Sequence, residues 1–143
     1  MIEIQLTHQP IHPERTTSAA VNHLCCGAVL HFLGVVRNEN EGRTVTAIDY
    51  ECYEPMAHRE LLKIAQEAKE QWGVHTIKVI HRIGRLLVGE TSLWVEVASP
   101  HRREALLALQ YVIDELKKRV PIWKKEFYEN ESPQWIACHH SHS

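Results

Sequence analysis

Two segments with helical periodicity lie among strand-like segments in this 143-residue chain, and this order limits the possible folds most strongly. The first predicted helix covers residues 55–72 and ends before Gly73. Its predicted buried residues are Ala57, Leu61, Ile64, Ala65, Ala68 and Trp72. The second begins at Ser99 and Pro100, because serine is a favourable cap and proline suits the first helical position, and Pro121 ends it. Its predicted buried residues are Ala105, Leu109, Val112, Ile113 and Leu116.

Several further segments have the apolar or alternating pattern that is typical of strands. They are residues 2–6, 28–36, 45–53, 76–80 and 92–98. The polar segment 37–43 contains Gly42 and predicts a turn, so residues 28–36 and 45–53 are expected to pair as a hairpin. A short helix is predicted from Pro13 or Glu14 to about Leu24. Because strands and helices do not follow a regular βαβ order, we expect an α+β fold with a largely antiparallel sheet and flanking helices.

The length predicts one domain, residues 1–136, followed by a His- and Ser-rich tail, residues 137–143, that is predicted to be disordered. The formal net charge of -2 disfavours nucleic acid and membrane surfaces as partners. No apolar run is long enough to form a transmembrane helix, and the N-terminus lacks the pattern of a signal peptide. We therefore expect a cytoplasmic protein with reduced thiols.

The cysteines do not have the spacing of a metal site. Cys25 and Cys26 are adjacent, which is too close for them to hold a metal comfortably by themselves, and no CxxC or HExxH motif is present. We predict no metal site and no cofactor. The tail sequence CHHSHS leaves a metal-handling protein as an open alternative.

Five cationic side chains fall within the nine residues 117–125: Lys117, Lys118, Arg119, Lys124 and Lys125. Pro121 and Trp123 separate the two groups of cations. A basic run at a helix end is usually a solvated surface that is stabilised by the helix dipole. The same arrangement also suits an anion-binding pocket and crowds lysines against one another.

Other cations support the second interpretation. His101 and Arg102 lie in the first turn of the second helix, where cations oppose the dipole but where backbone N–H groups favour an anion. Arg37 directly follows an apolar strand. His81 and Arg82 are instead interpreted as structural, with Arg82 paired to a carboxylate and His81 half-buried. No GxGxxG or GxSxG motif is present, so a lysine-based anion site without a cofactor remains.

The segments GVVRNENEGRTV, YECYEPMA, HRIGRLLVGE, SPHRREA and LKKRVPIWKKE, in this order, resemble the large catalytic subunit of molybdopterin synthase. The resemblance covers residues 27–135 and implies an α/β-hammerhead fold. It also implies a homodimer that binds two copies of a small ubiquitin-like sulfur-carrier protein, which gives a heterotetramer. The C-terminal glycine thiocarboxylate of the carrier would donate sulfur to cyclic pyranopterin monophosphate and form the dithiolene of molybdopterin. Neither metal nor cysteine would be required.

By motif position, the resemblance implies that Lys117 and Lys124 are catalytic. The implied substrate-binding residues are Val35, Val36, Arg37, His101, Arg102, Lys125 and Glu126. The resemblance further implies that His101 and Arg102 come from the neighbouring subunit. Lys118 and Arg119 are expected to face solvent or the carrier. The alternative from another class is a non-catalytic module that binds an anion or an acidic partner through residues 117–125.

Overall fold

The computed structural model describes residues 1–16, 24–129 and 133–137. Its elements, in chain order, are β1 (Ile2–Thr7), α1 (Pro13–Thr16), β2 (Ala28–Val35), β3 (Glu39–Asn40), β4 (Arg43–Cys52), α2 (Glu54–Trp72), β5 (Thr76–Arg82), β6 (Gly84–Leu87), β7 (Thr91–Ser99), α3 (Arg102–Arg119), β8 (Ile122–Tyr128) and β9 (Gln134–Ala137).

The strands form two sheets. The first has the order β1-β5-β7-β2, and β1 pairs with β5 in parallel while the other pairs are antiparallel. Helices α2 and α3 pack on this sheet and on each other. The second sheet has the order β3-β4-β8-β9, with β6 also paired to β4, and every pairing in it is antiparallel. The predicted α+β fold with largely antiparallel sheets is confirmed.

The predicted hairpin between residues 28–36 and 45–53 is wrong. Strand β2 pairs with β7, from Ala28 opposite Ser99 to Val35 opposite Thr91, whereas β4 pairs with β6 and β8. The cause is the turn within the polar segment. Glu41 and Gly42 both have positive φ, 52° and 78°, which is the geometry of a two-residue hairpin loop. The chain therefore reverses between β3 and β4, and this smaller hairpin replaces the predicted one.

The two long helices agree with their sequence patterns, with differences at the ends. Helix α2 buries the predicted residues except Trp72, which is half-buried, and Gly73 ends it with φ 63°. Helix α3 begins later than predicted. Ser99 remains in β7 because it pairs with β2, and His101 is the N-cap, with no capping hydrogen bond from its side chain. In α3, Ala108 is buried, while Leu109 and Ile113 are only partly buried.

Arg119 joins the two long helices, so the expectation that it faces solvent or the carrier is wrong. Its guanidinium lies 2.8 Å from Glu60, 2.6 Å from Glu67 and 3.3 Å from Glu115. The hydroxyl of Tyr111 also donates to Glu67, at 2.7 Å. The hydrogen bonds from Arg119 and Tyr111 lower the pKa of Glu67 to about 2. Lys118, by contrast, is 70% exposed.

Some predictions fall at the edges of the described residues. Helix α1 begins at Pro13, as expected, but Leu24 lies in a turn, and residues 17–23 are outside the described part. Strand β9 extends to Ala137, one residue beyond the predicted domain end. The rest of the tail, with Cys138 and its histidines, also lies outside the described residues. Within the described ranges, no helix is long and apolar enough to cross a bilayer.

Candidate active site

A cavity of about 420 Å³ lies between β2, the β3–β4 hairpin, β8 and the C-terminal end of α3. Six of the predicted site residues line it: Val35, Val36, Arg37, Lys117, Lys124 and Glu126. Much of the remaining wall is apolar, with Phe32, Leu33, Val45, Ile48, Leu93, Ile113 and Leu116. The structure therefore brings together cationic residues that are up to 87 positions apart, counted from Arg37 to Lys124.

Each lysine reaches the cavity because of the element that carries it. Lys117 lies in the last turn of α3, one turn after Ile113, so both side chains are on the same helix face. The carboxyl end of a helix also favours a positive charge. In β8 the side chains alternate, and Lys124 and Glu126 therefore both face the cavity. Lys124 is almost fully buried, with 9% of its surface exposed.

Lys125 lies on the opposite face of β8 because of the same alternation. Its Nζ is 5.3 Å from the ring centre of Trp135 and 5.6 Å from that of Phe127. Both distances are typical of cation–π contacts. The predicted substrate-binding residue Lys125 is therefore not among the residues that line the cavity.

Glu126 is the centre of a buried polar network. Its Oε1 lies 3.5 Å from Nζ of Lys124, and Nδ2 of Asn40 donates to both carboxylate oxygens, at 3.2 and 2.9 Å. The hydroxyl of Tyr128 donates to Oε2. Arg43 in turn donates to the Tyr128 hydroxyl, at 3.3 Å, and stacks on the ring at 4.1 Å. Each polar group in the network fixes its neighbour, so the position of Lys124 is set by residues from β3, β4 and β8.

The contacts within this network shift the pKa values of Glu126 and Tyr128. Burial alone would raise the pKa of Glu126, but the hydrogen bonds from Tyr128 and Asn40 and the charge of Lys124 outweigh burial and lower it. Burial and the hydrogen bond to Glu126 raise the pKa of Tyr128 to about 12. Glu126 is therefore an anion and Tyr128 a neutral donor at physiological pH.

His81 forms part of the cavity wall and is fully buried, so the prediction that it is half-buried is wrong. Its Nδ1–H donates to the carbonyl of Arg82, at 2.7 Å, and its ring meets Tyr50 edge to face. Burial lowers the pKa of His81 to about 4, so the imidazole is neutral near pH 7. Arg82 pairs with Glu90 at 3.4 Å, which agrees with the predicted carboxylate partner.

Besides Lys125, the predicted site residues His101 and Arg102 do not line the cavity. Both are exposed and lie at the start of α3, whereas Lys117 is in its last turn. Arg102 and Lys117 are 15 residues apart, which corresponds to about 22 Å along the helix. The two ends of α3 cannot contact one small ligand within a single chain.

The cavity has the chemistry of an anion-binding site with a largely apolar wall. Lys117, Lys124 and Arg37 supply positive charge, and the apolar wall lowers the local dielectric, so each charge acts more strongly on a bound group than in water. Sequence reasoning missed Asn40 and Tyr128. The alternation of Lys124, Glu126 and Tyr128 along one strand was a signal for Tyr128, but Asn40 depends on the hairpin that was predicted wrongly.

Together, the fold and the cavity define a small α+β protein with a cavity that is lined by two lysines and an arginine. The model of the MoaE protein family matches residues 6–119. The chain therefore belongs to the MoaE protein family, and the family predicted from the motifs is confirmed.

Curated relatives are named molybdopterin synthase catalytic subunit. The Bos taurus protein is 42% identical over 132 residues, which cover 92% of this chain and 69% of that protein. The Staphylococcus carnosus protein is 38% identical over 138 residues, which cover 96% of this chain and 90% of that protein. The predicted enzyme class is therefore supported along nearly the whole described chain.

Solved structures agree with the sequence relatives. Molybdopterin synthase from Staphylococcus aureus superposes with a TM-score of 0.84 at 36% identity, covering 92% of this chain and 95% of that chain. A chain from the complex of subunits 1 and 2 of molybdopterin-converting factor from Helicobacter pylori gives a TM-score of 0.72 at 25% identity, covering 91% of this chain and 86% of that chain. The second structure shows that a protein of this fold forms a complex with another subunit.

Proposed function

We propose that this chain transfers sulfur to cyclic pyranopterin monophosphate and so forms the dithiolene of molybdopterin. The sulfur comes from the C-terminal thiocarboxylate of a small ubiquitin-like carrier protein. The observation that carries the proposal is that Lys117 and Lys124, from two different elements, line one cavity with Arg37 in a chain of the MoaE family. An anionic precursor and an anionic thiocarboxylate both match this charge.

Each residue has a defined part in the proposed reaction. Lys117 lies beside the acyl group of the carrier, where its ammonium polarises the carbonyl or, after losing a proton, its amine bonds to the carbonyl carbon transiently. Lys124 stabilises the negative charge that develops, and Glu126 holds Lys124 in position. Arg37 binds the phosphate, and Val35 and Val36 form the wall beside it.

The chemical balance of one transfer is simple. The carrier sulfur forms a bond to a carbon of the precursor while a carbon–oxygen bond at that carbon breaks, and the oxygen leaves as water or remains on the phosphate. Water then adds to the acyl carbon and breaks the acyl–sulfur bond. The sulfur stays on the precursor, and the carrier leaves as a carboxylate. Two such transfers give the two sulfurs of the dithiolene. A positive group beside the acyl oxygen lowers the energy of the tetrahedral state that forms when water adds.

The proposed assembly is a homodimer within a heterotetramer. Arg102 and Lys117 lie at opposite ends of α3, so His101 and Arg102 reach a cavity only if they belong to the neighbouring subunit. The carrier is the partner that delivers sulfur, and the two-subunit complex from Helicobacter pylori is consistent with this pairing. Three free cysteines in the described residues are compatible with the proposed cytoplasmic location.

The basic segment does not form the continuous exposed patch that a simple acidic-partner module would need. Lys117 and Lys124 line the cavity, and Arg119 is held by three carboxylates. Lys118 and Lys125 are separated by the turn between α3 and β8. This dispersal favours a catalytic cavity over the alternative of a non-catalytic binding module.

Reconstitution tests the proposal. The purified chain, a thiocarboxylated carrier and the precursor are combined, and the dithiolene product is measured for the wild type and for Lys117→Ala, Lys124→Ala and Lys118→Ala. We expect losses of about a hundredfold or more for Lys117→Ala and Lys124→Ala, on the scale of removing one electrostatic catalytic group. Lys118→Ala is the matched control, and at saturating carrier it keeps the wild-type rate because its side chain is 70% exposed.

A non-catalytic module predicts a different pattern. Carrier affinity would fall steeply with salt, and the three lysine variants would lose similar, small amounts of function. Equal effects of Lys117→Ala and Lys118→Ala would therefore contradict the sulfur-transfer proposal.

A further inference from the structure

Two cysteines and a histidine converge at one end of the first sheet, outside the cavity described above. Cys25 and Cys26 precede β2, and His75 precedes β5. Their candidate ligand atoms all lie within 4.8 Å of one another. From the sequence, the two adjacent cysteines were not expected to hold a metal by themselves. The fold adds His75 as a third ligand, which is 49 positions from Cys26 in sequence.

The backbone holds both segments in place. The N–H of Gly27 donates to the carbonyl of Pro100, at 3.2 Å, and an added Cβ at Gly27 would lie 2.8 Å from that oxygen. Glycine therefore permits the close approach of the Cys25–Cys26 turn to the end of β7. The N–H of His75 donates to the carbonyl of Ala98, at 2.8 Å. Both segments are thus anchored to the same short stretch of chain, residues 98–100.

The distances match a metal better than a disulfide. The two Sγ atoms are 3.7 Å apart, far beyond an S–S bond of about 2.05 Å. A tetrahedral zinc ion with Zn–S bonds of about 2.3 Å holds two sulfurs roughly 3.8 Å apart. Nδ1 of His75 also lies 2.7 Å from Oγ1 of Thr76. Such a contact orients the ring, as second-shell hydrogen bonds to metal-binding histidines do.

We propose that Cys25, Cys26 and His75 form a binding site for a thiophilic divalent cation of the zinc class. Two thiolates and one imidazole are the donor set that zinc prefers, and a fourth position stays open to solvent because Cys25 is exposed. The site requires none of the cavity residues, so it is independent of the proposed sulfur transfer.

Binding at this site releases protons. A cysteine binds zinc as the thiolate, so the cation must displace the thiol proton when it binds. The apparent affinity rises as the pH is raised from about 6 to 8.

Cobalt(II) is a suitable probe, because a cobalt–thiolate bond produces a charge-transfer band in the near ultraviolet. The reduced, full-length protein is titrated with Co²⁺ under anaerobic conditions, and Zn²⁺ is then added to displace it. We expect a saturable band at a single equivalent. In Cys25→Ser and His75→Gln, the affinity for Co²⁺ falls by about tenfold or more. Cys25 is exposed, so its serine variant keeps the fold.

Two controls separate this site from other thiols and histidines. Cys52→Ser changes a thiol at the end of β4 and leaves the titration unchanged. A full-length variant with Cys138→Ser, His139→Ala, His140→Ala and His142→Ala removes the tail ligands and also leaves it unchanged. A missing band, a band that survives in Cys25→Ser, an unchanged affinity in His75→Gln, or a band lost with the tail substitutions would each overturn the proposal.

Discussion

Lys124 and Glu126 face the same cavity from alternate positions of one strand, and Nζ of the lysine lies 3.5 Å from Oε1 of the glutamate. Both side chains are almost fully buried. Replacing a buried ion pair costs little when both partners change, but removing one partner leaves the other charge without compensation. The pair therefore acts as a unit that holds the ammonium of Lys124 in the wall of the cavity.

Tyr128→Phe tests whether the network around Glu126 sets the pH range of activity. The variant lacks a hydrogen bond that lowers the pKa of Glu126, so this pKa rises toward its usual value of 4.5. Because the pKa of Glu126 is lowered, its ionised carboxylate stabilises the folded protein above pH 4.5, and this stabilisation is lost as the pH falls. We therefore expect the acid limb of the pH–rate profile to move to higher pH, with little change above neutral pH.

Tyr111→Phe is the matched control for this experiment. It also removes a hydroxyl that donates to a glutamate, but that glutamate, Glu67, lies between α2 and α3 rather than in the cavity. Its profile should coincide with that of the wild type. Identical acid limbs for Tyr128→Phe and the wild type would show that the network does not tune the site.

Arg119→Ala tests the link between the long helices. We expect a loss of roughly 1 kcal/mol in the free energy of unfolding at pH 7, because Glu67 is 38% exposed and water weakens its attraction to Arg119. The pKa of Glu67 is lowered from 4.5 to about 2, so its stabilisation is present above pH 4.5 and is lost as the pH falls toward 2.

Urea unfolding at pH 7 and pH 3 measures this effect. The difference between the wild type and Arg119→Ala should shrink at pH 3. Lys118→Ala, which removes an exposed neighbour, should change stability by less than about 0.5 kcal/mol at either pH. A difference that is the same at both pH values would contradict the role of Glu67.

His81→Gln tests the buried imidazole. The pKa of His81 is lowered from 6.5 to about 4, so the unfolded chain binds more protons between these values and folding weakens as the pH falls. At 1.4 kcal/mol per pKa unit, this term removes roughly 2 kcal/mol between pH 7 and pH 5. The pH dependence of the unfolding free energy should be flatter by this amount in His81→Gln, whatever the absolute stability of the variant. An unchanged slope would show that His81 is not the group responsible.

Mixed dimers test whether the site is shared between subunits. Lys117→Ala and Arg102→Ala are each expected to be inactive as pure preparations. When the two are unfolded together and refolded, a mixed dimer contains one cavity with both native residues and one that lacks both. Activity should therefore reappear in the mixture. If the mixture stays as inactive as its components, Arg102 does not act across a subunit interface.

The sequence was sufficient to predict the two long helices and some of the residues that line the cavity. The apolar periodicity of residues 55–72 predicted α2 because burial of one helix face is a local property. Strand β8 was not predicted, because its inward-facing positions include Lys124 and Glu126, and charged residues at core positions hide the usual alternation. At these two residues the proposed function requires charged side chains where the strand pattern would require apolar ones.

Strand partners and shared sites depend on distant residues. The pairing of β2 with β7 joins segments more than 50 residues apart, and no local turn encodes it. Asn40 became a partner of Glu126 only through the small hairpin at Glu41 and Gly42. Lys125 was grouped with Lys124 by motif, yet the two-residue period of a strand places it on the other face.

The fate of the carrier gives the most direct test of sulfur transfer at the cavity. The thiocarboxylated carrier is mixed with the precursor and with wild type, Lys117→Ala or Lys118→Ala, and its intact mass is followed over time. We predict that wild type and Lys118→Ala convert the carrier thiocarboxylate to a carboxylate at the same rate, whereas in Lys117→Ala the carrier binds but stays thiocarboxylated. Conversion by Lys117→Ala at the wild-type rate would contradict a catalytic role for this cavity.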